Sequence, residues 1–172
     1  MADYESPTII QPIIPNADMT PLERLLLTEI FTGEPEGDGL YFFAEQSTND
    51  MPEFDSSDLR AALQASEGHE SQAAEFVREQ LAKAAPEDIS ITLDMSIISW
   101  EYLFQDIVRR SSTLTYVTAI SAYTCSKMRT DGFGGVAVLI TANEVRGKNL
   151  DDVLADMLDE AEANGEIPAG VS

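Results

Sequence analysis

The sequence predicts an α+β fold: a small, mostly antiparallel sheet of about four strands, including a C-terminal hairpin, packed against several helices. Three observations support this prediction. Helical and strand periodicities occur in one chain, they do not alternate as regular βαβ units, and the last two β-rich segments are joined by a polar linker.

A chain of 172 residues with 44% hydrophobic content can bury a core. We expect one domain over residues 21–165, an extended arm over 1–20 and a frayed tail over 166–172.

The arm that precedes the first predicted helix is rich in proline and isoleucine. Its prolines fix backbone angles and remove amide donors, which argues against both a helix and a central strand. Its isoleucines are too apolar for a free tail, namely Ile9, Ile10, Ile13 and Ile14. We expect them to lie on an apolar surface. The core of their own domain is the favoured surface, and a second subunit of a homo-oligomer is the alternative.

Helical and strand patterns follow in turn through the first half of the chain. Thr20, Pro21 and Glu23 have the residue types and spacing that mark a helix start, and Gly33 with Pro35 is expected to end this helix. The aromatic run over 40–44 predicts a strand. Apolar spacing then predicts two shorter helices, over 57–66 and 71–85.

The second half begins with the clearest strand pattern, an alternation of apolar and polar residues over 89–97. A helix running to Arg110 follows, with Trp100 expected in the core. Two β-branched segments, 114–125 and 135–142, predict an antiparallel hairpin. Finally, Asn149 is expected to cap a strongly amphipathic helix.

Charge is the most unusual global property, because 31 acidic and 10 basic residues give a net charge of −21. Residues 100–148 hold 4 acids and 6 bases, whereas residues 149–172 hold 7 acids and no base. This balance argues against direct nucleic-acid binding and favours a basic protein partner. The outer face of the last helix is expected to contribute four carboxylates: Asp152, Asp156, Asp159 and Glu160.

Three alternatives to that interpretation stay open. The acidity can be an adaptation to habitat or solubility. The chain can be an inhibitor that imitates the phosphate path of DNA, since it resembles antirestriction and other DNA-mimic proteins in charge and size alone. It can also be a small enzyme or ligand-binding domain with a pocket near Cys125, Lys127 and Arg129.

The segment over 124–135, TCSKMRTDGFGG, holds the single cysteine, two bases and three glycines. We interpret it as the end of the hairpin, with glycines at positions of positive φ. Lys127 and Arg129, joined by Arg109 and Arg110, are expected to contact a partner or a second subunit rather than to catalyse a reaction. Cys125 is a poor candidate nucleophile because His69 is the one histidine available as a base.

No cofactor is expected. One cysteine and one histidine exclude a Cys/His zinc cluster within the chain, and the glycines over 132–135 lack the Lys-Ser/Thr ending of a phosphate-binding loop. Residues 34–45 match the spacing of a calcium loop, but glutamates stand where short Asp or Asn ligands are needed. A solvated turn is therefore favoured for this set, which comprises Glu34, Glu36, Asp38 and Glu45.

Localisation is predicted from two further features. No apolar run approaches the roughly 20 residues that span a bilayer. The N-terminal sequence also lacks the positively charged start of a secretory signal. We therefore expect a cytoplasmic protein without a membrane partner, and an accessory protein rather than an enzyme.

Overall fold

The computed structural model describes residues 3–170, and this part of the chain has an α+β fold. Its main sheet contains eight antiparallel strands, and a second sheet contains two. The predicted class and the mostly antiparallel pairing are confirmed. The expected number of about four strands is wrong, because the N-terminal arm, a hairpin after the first helix and an additional edge strand all join the sheet.

The arm runs through the middle of the sheet as β1 (Tyr4–Glu5), β2 (Thr8–Gln11) and β3 (Ile14–Pro15). β1 and β2 pair with β8 (Tyr116–Cys125), whereas β2 and β3 pair with β5 (Gly39–Ala44). The expectation that the arm cannot be a central strand is therefore wrong. Pro7 and Pro12 lie between the short strands, so each missing amide interrupts the pairing without preventing it.

The first helix, α1 (Pro21–Ile30), begins as predicted. The Thr20 hydroxyl accepts a hydrogen bond from the Glu23 amide at 3.2 Å, and the Glu23 carboxylate accepts one from the Thr20 amide at 3.0 Å. Beyond the helix, Gly33 and Pro35 belong to strand β4 (Thr32–Glu36). β4 returns to β5 through a two-residue turn, in which Gly37 has a φ of +56°.

The middle of the chain forms α2 (Ser56–Ala65) and α3 (Gln72–Lys83) as predicted. Before α2, strand β6 (Glu53–Asp55) pairs with β7 (Ser90–Thr92), which is the only part of the predicted 89–97 strand that forms. The longer strand prediction is wrong because β6 offers three pairing residues. Beyond β7, Leu93 is buried in the core, and its amide donates a hydrogen bond to Pro52 O at 2.9 Å.

The C-terminal half contains α4 (Trp100–Arg110), the predicted hairpin of β8 with β9 (Gly134–Thr141), strand β10 (Val145–Asn149) and α5 (Leu150–Ala163). Trp100 packs edge-on against Phe31 and Phe104, as expected for a core aromatic residue. β10 was not predicted, because its five residues, VRGKN, have no apolar alternation.

The core lies on one face of the sheet. Across the sheet the strands follow the order β10, β9, β8, β2 and β5, with β4 on the far side of β5. α4 contacts β8 and β9 on the inner face, and α1 packs against α2, α3 and α4. The fully buried side chains include Ile10, Leu26, Phe42, Phe104 and Ile140. In residues 3–170 no helix is long and apolar enough to cross a membrane.

Candidate functional site

The segment over 124–135 places Cys125 beneath a glycine. Cys125 is 8% exposed, and a Cβ added to Gly132 would lie 2.4 Å from the Cys125 Cβ. Gly132 is therefore required for close approach of the loop to the strand. The expectation of positive φ at the glycines of this segment is wrong, since neither Gly132, Gly134 nor Gly135 adopts it.

Cys125 has no base beside it. His69 lies in the loop between α2 and α3, and no hydrogen bond joins it to Cys125 in the described part of the chain. Burial of the thiol also limits the access of a substrate. Cys125 therefore packs in the interior at the end of β8.

A depression of about 450 Å³ lies next to this segment. Its walls include three aromatic side chains, of Tyr4, Tyr123 and Phe133, and three acidic residues, Glu5, Asp131 and Asp151. Tyr4 pairs with Cys125 across β1 and β8, so alternation along β8 places the Tyr4 and Tyr123 side chains on the same face. Aromatic faces and carboxylates together suit an organic cation.

The four basic residues predicted to form one contact surface are separated in the structure. Arg109 donates to Ala142 O at 2.8 Å, to Asp106 at 3.0 Å and to Gln105 at 3.0 Å. Arg110 lies at the end of the same helix. Lys127 and Arg129 lie in the loop at the opposite end of β9, which is about 25 Å long. Arg129 donates to the Tyr4 hydroxyl at 3.2 Å.

Arg110 is committed to an internal ion pair that the sequence did not reveal. It contacts Glu23 at 2.5 Å, and the Glu23 side chain is fully buried. Burial raises the pKa of Glu23, although the hydrogen bond from Arg110 opposes that effect. In the sequence, the capping pattern with Thr20 already accounts for Glu23. No residue pattern therefore indicated its ion pair with Arg110. Arg110 is consequently unsuited to binding a partner.

The predicted acidic residues lie on α5, and two of them have local roles. Asp152 completes the cap with Asn149, whose side chain accepts from the Asp152 amide at 2.7 Å. Asp156 pairs with Lys148 and raises the pKa of that lysine. Asp159 and Glu160 are exposed. The carboxylates from residue 152 to residue 160 extend over about 12 Å of the helix axis, a short row for imitating the phosphates of a DNA duplex.

The apolar side of α5 is largely uncovered. Leu150, Leu154 and Met157 recur at helical spacing, and their exposures are 59%, 56% and 59%. No residue of α5 is buried. The sequence periodicity predicted this stripe, and the assignment of the carboxylates to the outer face implied that the stripe faces the core. In the structure these three side chains are exposed instead.

The arm isoleucines divide between two environments. Ile10 and Ile14 are fully buried in the core of their own chain. Ile9 is 39% exposed on the outer face of the sheet, and Ile13 is half-buried. A subunit contact through the arm therefore has only Ile9 and Ile13 available.

The calcium-loop candidates lie on a hairpin. Glu34 and Glu36 belong to β4, Asp38 to the turn, and Glu45 follows β5. Across residues 3–170, no group of three or more His, Cys, Asp and Glu side chains could hold a metal ion.

Among the residues predicted from the sequence and their surroundings, two surface features are candidate binding sites, namely α5 and the aromatic depression. Comparison of the chain with protein-family models, curated protein sequences and solved structures finds no match.

Proposed function

We propose that this protein is a non-enzymatic accessory protein that binds a basic protein partner through α5. The observation that carries the proposal is the uncovered apolar stripe of Leu150, Leu154 and Met157 on a helix whose remaining surface is acidic. An exposed apolar stripe supplies contact area. Asp151 and Glu160, which flank it on the helix, steer a positively charged partner and orient it.

The chemistry of α5 restricts the partner. A matching surface presents apolar side chains flanked by lysine or arginine, as a basic amphipathic helix does. Another copy of α5 does not match, because residues 149–172 hold 7 acids and no base. Like charges at such short range oppose pairing of the helix with itself.

A designed peptide helix with a leucine stripe flanked by lysines tests this proposal. Its affinity for the protein is measured by fluorescence anisotropy at several salt concentrations, beside a peptide that carries glutamate in place of lysine. The lysine peptide should bind, the glutamate peptide should not, and binding should weaken as salt rises. The double change Asp151→Lys with Glu160→Lys, at exposed carboxylates on the two sides of the stripe, should weaken binding at least about tenfold.

A matched control separates a specific surface from general attraction to an acidic protein. The double change Glu75→Lys with Glu79→Lys alters the net charge equally, on exposed positions of α3. It should leave most of the affinity intact. Equal loss in both double variants would mean that the peptide senses only total charge, and the proposed α5 site would be rejected.

The aromatic depression supports a second candidate function, the binding of a small organic cation. The observation that supports it is that Tyr4, Tyr123 and Phe133 line a depression of about 450 Å³ together with three acidic residues. Titration with tetramethylammonium, followed by NMR, should shift resonances of these rings. Tyr123→Ala should abolish the shifts, whereas Tyr102→Ala, which changes an equally exposed tyrosine on α4, should not. Unchanged spectra of the wild type would exclude this function.

A further inference from the structure

The outer face of the main sheet is an uncovered apolar surface. One row of cross-strand neighbours runs over six strands, in the order Lys148, Ala137, Ile120, Ile9, Phe43 and Thr32. Ile120 is 53% exposed, whereas its neighbour along the strand, Ala119, is buried in the core. Three shallow depressions cross this face, and each pair of them has one lining residue in common: Tyr41, Thr118 or Ile120. The surface is therefore continuous.

The charged residues of this face lie at its two edges. Its central strands β2, β8 and β9 present only uncharged side chains, which include Ile9, Gln11, Thr118, Ile120, Ala137 and Leu139. Arg146 and Lys148 lie at the β10 edge. Glu34 and Glu36 lie at the β4 edge, because they alternate with residues whose side chains point to the inner face. One edge thus carries two bases, each with a carboxylate of its own chain nearby, the opposite edge carries two acids, and the centre is neutral.

We propose that a second copy of this chain covers this face and forms a homodimer in which the two sheets pack face to face. A chain with a net charge of −21 repels its own copy over most of its surface. The uncharged centre of the outer face is where a like-charged copy approaches with the least repulsion. It is also where burial of Ile9 and Ile120 gives a hydrophobic gain.

The charged edges select one arrangement of the two copies. A two-fold axis parallel to the strands, between β2 and β8, brings the β10 edge of each copy opposite the β4 edge of the other. Arg146 then faces Glu34 of the second copy at both ends of the interface. A two-fold axis perpendicular to the strands would instead oppose Arg146 to Arg146 and Glu34 to Glu34. The isologous contact with the strand-parallel axis is therefore favoured.

Existing ion pairs at the basic edge do not prevent this contact. Arg146 lies 3.4 Å from Glu144, and Lys148 pairs with Asp156. All four side chains are more than half exposed, and ion pairs of that kind contribute only about 0–1 kcal/mol. Exchange of these partners for carboxylates of a second copy costs little.

Sedimentation equilibrium of the full chain over a range of concentrations tests the dimer. The wild type should show reversible dimerisation. Ile120→Asp should weaken it at least about a hundredfold, because a carboxylate would be buried at the centre of the interface. Ile89→Asp, at a site that is 83% exposed and away from the sheet face, is the matched control and should dimerise like the wild type. A wild type that stays monomeric, or an Ile120→Asp variant that dimerises normally, overturns the proposal.

Charge reversal tests the arrangement. Arg146→Glu and Glu34→Arg should each weaken dimerisation at least about tenfold, because each places like charges opposite one another twice in the dimer. The two single variants mixed together should pair with each other, and the double variant should regain wild-type affinity. If neither restores association, the strand-parallel two-fold is wrong. The dimer does not depend on α5, so the peptide experiment can fail while this proposal stands, and the reverse is also true.

Discussion

The guanidinium of Arg110 lies 2.5 Å from the carboxylate of Glu23, which belongs to the first turn of α1 and is completely buried. This contact joins the end of α4 to the start of α1 across 87 positions of sequence. Glu23 also accepts a hydrogen bond from the Thr20 amide. The same carboxylate therefore caps α1 and pairs with Arg110. One oxygen, Glu23 Oε1, and one nitrogen, Arg110 Nη1, have no hydrogen-bond partner among residues 3–170.

Arg110→Ala should lower the free energy of unfolding by about 3 kcal/mol, because it leaves the Glu23 carboxylate buried without its base. Urea denaturation at neutral pH measures the change. Arg60→Ala, at an exposed site on α2, is the control and should alter stability by less than about 0.5 kcal/mol. Equal effects of the two changes would show that the Arg110 contact is not needed to hold Glu23 in the core.

Glu23 should also give stability a recognisable pH dependence. Burial raises the pKa of Glu23 above 4.5. Its contribution to the free energy of unfolding is therefore complete below about pH 4.5 and is lost as the pH rises through the folded-state pKa. The stability of the wild type relative to Glu23→Gln should therefore increase as the pH falls from neutral toward 4.5. Hydrogen bonds donated by Ser57 and the Asp58 amide lower the pKa of Asp55, and those donated by Ser96 lower the pKa of Asp94. These two carboxylates lose their contributions to stability only below about pH 3.8. A relative stability that stays flat or falls would contradict the prediction.

The arm should be essential for folding rather than dispensable. Ile10→Ala should cost about 3 kcal/mol, since Ile10 is fully buried in the core. Ile9→Ala, one residue away on the exposed face, should cost less than about 1 kcal/mol in the monomer. Deletion of residues 1–15 should leave an unfolded chain by circular dichroism, because it removes β1, β2 and β3 from the middle of the sheet. A folded deletion variant would show that β8 and β5 can pair without the arm.

Gly132 should control access to Cys125. Gly132→Ala should destabilise the protein by about 1–3 kcal/mol and accelerate the reaction of the thiol with a disulfide reagent, because the new Cβ forces the loop away from the strand. Gly134→Ala is the control, since its added Cβ meets Tyr123 at 3.4 Å and φ is not positive. Cys125→Ser should fold normally. Unchanged thiol reactivity in Gly132→Ala would show that Gly132 does not control access to Cys125.

Local signals predicted most helices and the hairpin. The start of α1 follows from Thr20 and Glu23, and the start of α5 from Asn149, because a capping side chain acts within three residues of the amide that it binds. The candidate site was predicted less well. The sequence found the apolar stripe and the carboxylates of α5, but it grouped Arg109 and Arg110 with Lys127 and Arg129, which the fold separates.

The sequence by itself determined the class of fold, the caps, the hairpin and the acidic character of the chain, because these depend on neighbouring residues and on composition. Only the tertiary structure decided that the arm is the central strand, that Glu23 is buried against Arg110, and that one sheet face and one side of α5 are uncovered. The contact of Thr8 with Ser121 closes a loop of 113 residues. Its formation depends on competition among all alternative strand pairings and on how the core is divided between them, and no local pattern encodes that competition.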